Sequence, residues 1–182
     1  MKGKKLPRSV EIDGIEFNIR SDFRDVLKIL EALNDEKLTV GQKFYVCLNI
    51  FYKEYSKITN EKKAFSKMSE FIDGGCIVGK SSTKTNGLVA WDKDITFIFI
   101  AINKRLGYDC RDVEYMHWWT FMGLYMEIGE SIFKNIINIR YKLKKNKNLT
   151  SEERDFYDMY RETIEIKPSM TKEEEDFLMT FQ

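Results

Sequence analysis

The hydrophobic pattern at the start of the chain has a period of two. Apolar residues alternate with polar ones on both sides of Asp13-Gly14; they are Val10, Ile12, Ile15, Phe17 and Ile19. An Asp-Gly dipeptide favours the tight turn that joins two antiparallel strands. The pattern therefore predicts a β-hairpin, which we expect to pack on the following helices because a two-stranded ribbon is marginally stable alone.

From residue 21 onward the apolar residues follow a helical period. Three segments of the first half carry apolar residues three and four positions apart: 23–33, 40–55 and 60–72. Ser21 or Asp22 is positioned to cap the first helix, and Thr39 with Gln42 forms a capping box at the second. The third helix is expected to end at Gly74 and the glycine after it.

The segment from Ile95 to Leu106 is ambiguous by composition. Its β-branched residues and phenylalanines favour a strand. A start at Asp92 or Asp94, a length of about 12 residues and a stop at Gly107 favour a buried helix, and we predict a helix. The next segment, 113–128, is apolar on nearly all sides and is expected to form the central, most buried helix.

Capping residues predict three further helices near the end of the chain. Ser131 is expected to begin a helix that leads into the lysine run at 142–147. Two capping boxes follow, and each heads a short acidic helix: Thr150 with Glu153, and Thr171 with Glu174. Helices this short are marginal unless they pack on something, so we expect them to dock on the body or to await a partner.

Together these patterns predict a mainly α, multi-helix single domain with an N-terminal β-hairpin and a C-terminal acidic helical tail. We place the domain at residues 1–147 and the tail at 148–182. From residue 151 onward the chain has 10 acidic and 4 basic residues, whereas the whole chain carries a net charge of +1. A near-neutral total argues against a protein whose main task is to bind nucleic acid.

Cysteine usage and hydropathy indicate the compartment. Three cysteines, odd in number and widely spaced, form neither a metal-ligand pattern nor a disulfide framework, which is typical of a reducing cytoplasm. Residues 1–9 are basic and lack a following apolar run, so no signal peptide is expected. The longest apolar run, 95–102, is far shorter than the roughly 20 residues of a membrane span. We expect no membrane contact.

One sequence motif suggests nucleotide binding. Gly74 to Ser81 matches G-x-x-x-x-G-K-S, which puts Gly79, Lys80 and Ser81 at the phosphate and magnesium positions. Such a loop needs a buried strand before it and a helix after it. Here helical spacing precedes the motif and a poor helix former follows it. We therefore expect no nucleotide, no metal and no other cofactor, and keep a phosphate-loop protein as the alternative.

His117 is the only histidine, which rules out a multi-histidine metal site within the chain. On the helix predicted at 113–128 it aligns with Phe121 and Leu124, which favours a buried histidine with a satisfied hydrogen bond. Arg140 lies four residues after Ile136 and faces the apolar side of its helix, although an exposed arginine is the alternative. A buried guanidinium needs a carboxylate or an aromatic face. The candidate neighbours are Glu114, Glu127, Trp118 and Trp119.

From these positions we predict a structural cluster of His117, Trp118, Trp119 and Arg140, without a catalytic role. Other methionine and aromatic side chains offer adaptable surface to a partner, although the plainer interpretation is that they form the core. The candidate partner-binding residues are Met116, Phe121, Met122, Tyr125, Phe156, Tyr160, Phe177 and Phe181.

The second half of the chain resembles the gene-product-fifteen family of siphophage and prophage proteins, whose genes lie in the tail module near the tape-measure gene. The matching stretches are Asp94 to Ala101, Leu106 to Asp109, Asp112 to Phe121, and Ile139-Arg140. The first half resembles the family more loosely, at Leu6-Pro7, the hairpin and Ser21 to Arg24. The resemblance covers about residues 6–147.

The resemblance implies a tail assembly chaperone, a factor in the cytoplasm of the bacterial host that holds the tape-measure protein before the tail tube polymerises. We therefore expect a non-catalytic morphogenesis protein whose partner is the tape-measure protein or another tail protein, with self-association left open. The alternative is a structural component of the tail itself.

Overall fold

A computed structural model describes residues 5–74 and 87–166 of the chain. It contains one antiparallel hairpin and eight α-helices within these residues, which confirms the mainly α fold with an N-terminal hairpin. The elements are β1 (Ser9–Ile12), β2 (Ile15–Asn18), α1 (Phe23–Asn34), α2 (Val40–Phe51), α3 (Glu61–Ile72), α4 (Trp91–Leu106), α5 (Trp118–Met126), α6 (Ile132–Lys144), α7 (Ser151–Met159) and α8 (Arg161–Ile164).

Backbone contacts divide the chain into two compact units. The described parts of unit 1 are residues 5–74 and 115–122, and those of unit 2 are residues 87–114 and 123–166. The described part of the predicted acidic tail, 148–166, belongs to unit 2. The predicted capping box at Thr171 and Glu174 lies outside the described residues.

Unit 1 begins with the predicted hairpin. Val10 pairs with Phe17 and Ile12 with Ile15. Asp13 and Gly14 both have positive φ, as a tight primed turn requires.

Local caps begin the first two helices of unit 1. Asp22, rather than Ser21, caps α1 by accepting a hydrogen bond from the Arg24 backbone N–H. The capping box of Thr39 and Gln42 at the start of α2 is confirmed. Both helices therefore begin where a short polar side chain satisfies a free backbone donor.

The helix predicted at 40–55 is shorter in the structure because its end pairs with the hairpin. Helix α2 stops at Phe51, and Tyr52 forms an isolated β-bridge with Ile19. The Tyr52 hydroxyl donates a hydrogen bond to the Ala64 carbonyl in α3, at 2.8 Å. Tyr52 is fully buried, so this bond satisfies a polar group in the core while the ring packs among apolar residues.

The helix predicted at 113–128 is wrong at its N-terminal end. Helix α5 begins only at Trp118 because the residues before it pair with the chain that leads into α1. The Phe23 N–H donates to the Met116 carbonyl, and the Trp118 N–H donates to the Ser21 carbonyl. Backbone groups engaged in this bridge cannot also close helical turns.

In unit 2 the choice of helix for 95–106 is confirmed, with Gly107 as its left-handed end. The predicted cap is wrong, because α4 begins at Trp91 and Ala90 is its N-cap. Asp94 lies inside the helix and is fully buried, where it accepts a hydrogen bond from the Ala90 N–H. Ser131 caps α6 as predicted.

The capping box of Thr150 and Glu153 heads α7 as predicted. Helices α7 and α8 pack in unit 2 on an apolar cluster around Ile136, Ile139 and Ile164. Within the described residues, no helix is both long and apolar enough to cross a membrane.

Candidate functional site

His117 lies at the start of α5 and is bonded through both ring nitrogens. It is 4% exposed. Its Nδ1 accepts a hydrogen bond from the Trp119 backbone N–H at 3.0 Å, and its Nε2 lies 2.8 Å from the Pro7 carbonyl oxygen. Because Nδ1 accepts, Nε2 must carry the proton that is donated to Pro7. The imidazole therefore acts as a neutral cap that ties the N-terminal segment to α5.

The surroundings of His117 favour this neutral form. Burial lowers the pKa of His117, the carbonyl of Pro7 opposes that shift, and the positive charge of Arg8 adds to it. A base in a catalytic site must exchange its proton with a substrate. Here both ring nitrogens are already used to join two parts of unit 1.

Trp118 and Trp119 connect α5 to the end of α3. The indole Nε1–H of Trp118 donates to the Ile72 carbonyl, and that of Trp119 to the Phe71 carbonyl, both at 2.8 Å. The last carbonyls of a helix have no i+4 donor within it, so they are available to these indoles. The Phe71 carbonyl also accepts a bond from the Gly74 N–H. The adjacent Phe121 stacks on Phe23 of α1 with 4.7 Å between ring centroids.

Asp22 joins the same assembly from the N-terminal side. Its carboxylate accepts hydrogen bonds from the Arg24 backbone N–H at 2.9 Å and from the Met116 backbone N–H at 3.1 Å, and it pairs with the Arg24 guanidinium. Burial alone would raise the pKa of Asp22, but the bonds from Arg24 and Met116 outweigh it and lower the pKa. We call His117, Trp118, Trp119 and Asp22 the histidine cluster.

Arg140 is the centre of a second buried network, in unit 2. Its guanidinium forms a bidentate pair with Asp94, with N–O distances of 2.6 and 2.9 Å. The remaining N–H groups donate to three carbonyl oxygens: Leu88, Thr163 and Ile164. We call Arg140 and Asp94, with these three carbonyls, the arginine cluster.

The predicted neighbours of Arg140 were wrong. The expected partners were Glu114, Glu127 or the tryptophan pair, whereas the structure pairs Arg140 with Asp94. Glu127 forms an ion pair with Arg105 instead. By sequence pattern alone, Asp94 is only one of two possible helix caps, with Asp92, and is not weighed as a partner for Arg140.

The structure distributes the predicted cluster over the two units. His117, Trp118 and Trp119 belong to unit 1, and Arg140 belongs to unit 2. Each has hydrogen-bond partners within its own unit. Sequence reasoning missed Asp22 and Asp94 as members, although both lie in stretches that resemble the phage family.

The candidate partner-binding residues are largely interior. Met116, Phe121 and Met122 are at most 8% exposed, so in this structure they form core rather than a free surface. Tyr125 packs against Trp91 and Phe133. Two candidates of the predicted tail, Phe156 and Tyr160, pack on the apolar cluster of unit 2. The last two, Phe177 and Phe181, lie outside the described residues.

The predicted phosphate-loop positions Gly79, Lys80 and Ser81 also lie outside the described residues. The segment before them is described, and it is helix α3 rather than the buried strand that a phosphate-binding loop requires.

The buried polar side chains of the described residues form hydrogen bonds within the protein. Every buried side-chain nitrogen and oxygen among them has a hydrogen-bond partner. Within the same residues, no three His, Cys, Asp or Glu side chains converge as a metal site would need. Burial raises the pKa of the Cys47 thiol to about 12, so this cysteine is not a reactive thiolate at neutral pH.

Comparison with known proteins identifies a family for this chain. Neither curated proteins nor solved structures gave a match. The family model described as Bacteriophage Gp15 protein matches residues 3–166, which extends the resemblance beyond residue 147 through α7 and α8. The residues of the histidine and arginine clusters all fall within this match, and the chain belongs to the bacteriophage Gp15 protein family.

Proposed function

We propose that this protein acts in bacteriophage tail morphogenesis as an assembly chaperone that binds the tape-measure protein, without catalysing a reaction. Membership of a bacteriophage protein family supports a role in a bacteriophage. The observation that carries the proposal is the use of the motif side chains inside the fold. The polar side-chain atoms of four motif residues form hydrogen bonds within the protein; these residues are Asp22, Asp94, His117 and Arg140.

This use of the motif residues favours a binding role over catalysis. A catalytic group needs a polar atom that can reach a substrate. In the two clusters the polar atoms instead fix where helices begin and end, which gives the protein rigid surfaces. A helical, partly apolar client such as a tape-measure protein can be kept soluble by laying an apolar face into a groove of this kind of helical scaffold.

Co-expression with the tape-measure protein of the same phage tests the proposal. We expect the tape-measure protein to become soluble and to co-purify with the tagged full-length chain. A Tyr108→Ala variant is a surface control, because this side chain is 53% exposed. It should co-purify with the tape-measure protein as the wild type does. A tape-measure protein that stays insoluble and free of this chain would contradict the proposal.

Purified virions test the alternative of a structural tail component. A chaperone acts before the tube closes and is expected to be absent from finished particles. Mass spectrometry that detects this chain in virions in proportion to the tail proteins would assign it to the tail itself and overturn the chaperone role.

A further inference from the structure

Helices α7 and α8 cover an apolar groove of unit 2. The groove is formed by Phe97 of α4 with Ile136 and Ile139 of α6. We call the segment 151–164, which comprises α7 and α8, the latch. The latch lies on the groove through Phe156, Tyr157, Tyr160 and Ile164, and three of these, Phe156, Tyr160 and Ile164, are four residues apart. This spacing is how one face of a helix fills a groove.

The apolar contact between latch and groove is specific but small. Tyr160 meets Phe97 edge-on with 6.0 Å between ring centroids, and Phe156 lies 4.5 Å from Tyr160. Ile164 is 2% exposed, whereas no residue of α7 is fully buried. The latch therefore places one fully buried side chain and a few half-buried rings on the body.

Cations of the groove bind the latch at both ends. Lys142 Nζ pairs with the Glu153 carboxylate at 2.6 Å. At the other end, Lys93 Nζ donates to the carbonyls of Glu162 and Glu165 at 2.9 and 3.0 Å. Arg140 binds the two carbonyls between them. Positive charge next to the C-terminal carbonyls of a helix is favourable, so the groove is built to hold a helix end.

The latch carries the opposite charge. Its acidic residues are Glu152, Glu153, Asp155, Asp158 and Glu162. Its basic residues are Arg154 and Arg161. Of these carboxylates, Glu153 pairs with a cation of the groove, Lys142. The groove thus fits a helix that carries apolar anchors four residues apart and a carboxylate near its start, and the chain itself supplies one.

The latch is also a segment that can open locally. Helices of nine and four residues are marginal without tertiary contacts. Segments with little buried apolar surface open at a small fraction of the global unfolding free energy. Opening the latch would expose Phe97, Ile136 and Ile139 and would also withdraw the Thr163 and Ile164 carbonyls from Arg140.

We propose that this groove is the docking site for an acidic amphipathic helix of the partner protein, and that the latch occupies the site in the free protein. The identification of that partner as the tape-measure protein rests on the function proposed above. The latch itself shows the chemistry of the ligand: apolar anchors at every fourth position, a carboxylate for Lys142, and a C-terminal end for Lys93 and Arg140.

A labelled peptide tests the groove without the tape-measure protein. The probe is a synthetic, fluorescein-labelled peptide of residues 150–166, and its binding to full-length protein is followed by fluorescence anisotropy. In the variant Phe156→Ala/Tyr160→Ala the protein's own latch loses its anchors. We expect this variant to bind the peptide about tenfold more tightly than the wild type, since apparent affinity scales with the fraction of open groove.

Matched variants control the measurement. Met159→Ala alters the same helix at a side chain that is 77% exposed and should leave peptide affinity at the wild-type value. Glu153→Ala removes the contact with Lys142 and should produce a smaller increase in peptide affinity. If circular dichroism shows that the double variant does not fold, this single variant provides the test. Adding Lys142→Glu to an open variant should reverse the gain.

Two results would overturn the proposal. The first is equal peptide affinity in the wild type, Glu153→Ala and any folded double variant. The second is dimerisation of the Glu153→Ala variant in light scattering, because its latch keeps Phe156 and Tyr160 and the groove would then take the latch of a second copy rather than a partner helix. Because the probe is a segment of this chain, failure here leaves tape-measure binding standing. Conversely, peptide binding without tape-measure co-purification would count against the proposed function alone.

Discussion

At the scale of single residues, charge is buried only where hydrogen bonds surround it. The side chains of Arg140 and Asp94 are 3% and 0% exposed, and three carbonyls complete the shell of the guanidinium. Removing two ions from water is costly, and mutual attraction offsets that cost only in a fully bonded geometry. The pair is therefore expected to fix the arrangement of the segments it joins more than to add net stability.

Breaking this pair from one side should be strongly destabilising. We expect Arg140→Met to lower the free energy of unfolding by about 3–5 kcal/mol, because it leaves the Asp94 carboxylate buried without a counterion. Urea denaturation measures the change. Arg161→Met, which removes an exposed ion pair with Asp158, is the matched control and should cost less than about 1 kcal/mol. An Arg140→Met protein as stable as the wild type would contradict the buried pair.

His117 gives the stability a defined dependence on pH. Its pKa is lowered in the folded protein, so the unfolded chain binds the proton more tightly. The contribution of His117 to the free energy of unfolding should therefore be fully present above the pKa of histidine in the unfolded chain, about 6.5. It should be lost as the pH decreases below that value. Urea denaturation at pH 7.0 and pH 5.5 should show a larger loss for the wild type than for His117→Gln. The same loss in both proteins would show that His117 titrates normally.

At the scale of elements, the start of α5 is set by contacts rather than by helical propensity. The indole N–H groups of Trp118 and Trp119 bond the end of α3, and His117 caps the first turn. Three side chains in succession thus fix where the helix begins and what it packs on. Such a junction is expected to be sensitive to the loss of a single large side chain.

Trp118→Ala tests this junction. Trp118 is 1% exposed, and its truncation leaves a cavity and removes the hydrogen bond to the Ile72 carbonyl. We expect a loss of about 3–5 kcal/mol in the free energy of unfolding, measured by chemical denaturation. Tyr108→Ala, at an exposed aromatic residue, should change stability by less than about 0.5 kcal/mol. A Trp118→Ala protein that unfolds like the wild type would place this ring outside the core.

The elements that the sequence predicts correctly are those with local signals. The hairpin follows from alternation around Asp13-Gly14, and α2 and α7 follow from capping boxes within four residues. The contacts that it misses join distant positions. Asp22 and Met116 are 94 residues apart, and Asp94 and Arg140 are 46 apart. Neither pair leaves a periodic pattern, so apolar spacing extends α5 too far and does not bring Asp94 and Arg140 together.

At the scale of the whole molecule, the described residues form two compact units, each organised around one buried polar cluster. Unit 1 uses the histidine cluster to join its N-terminal segment, α1, α3 and α5. Unit 2 uses the arginine cluster to join α4, α6 and α8. In both units the stretches that resemble the phage family meet through hydrogen bonds.

The mass of the species that contains this protein and the tape-measure protein tests the proposed chaperone role. The full-length chain and the tape-measure protein of the same phage would be co-expressed, co-purified and weighed by light scattering during size-exclusion chromatography. We expect a soluble complex of fixed stoichiometry that contains both proteins. A tape-measure protein that elutes without this chain, with this chain eluting alone, would contradict it.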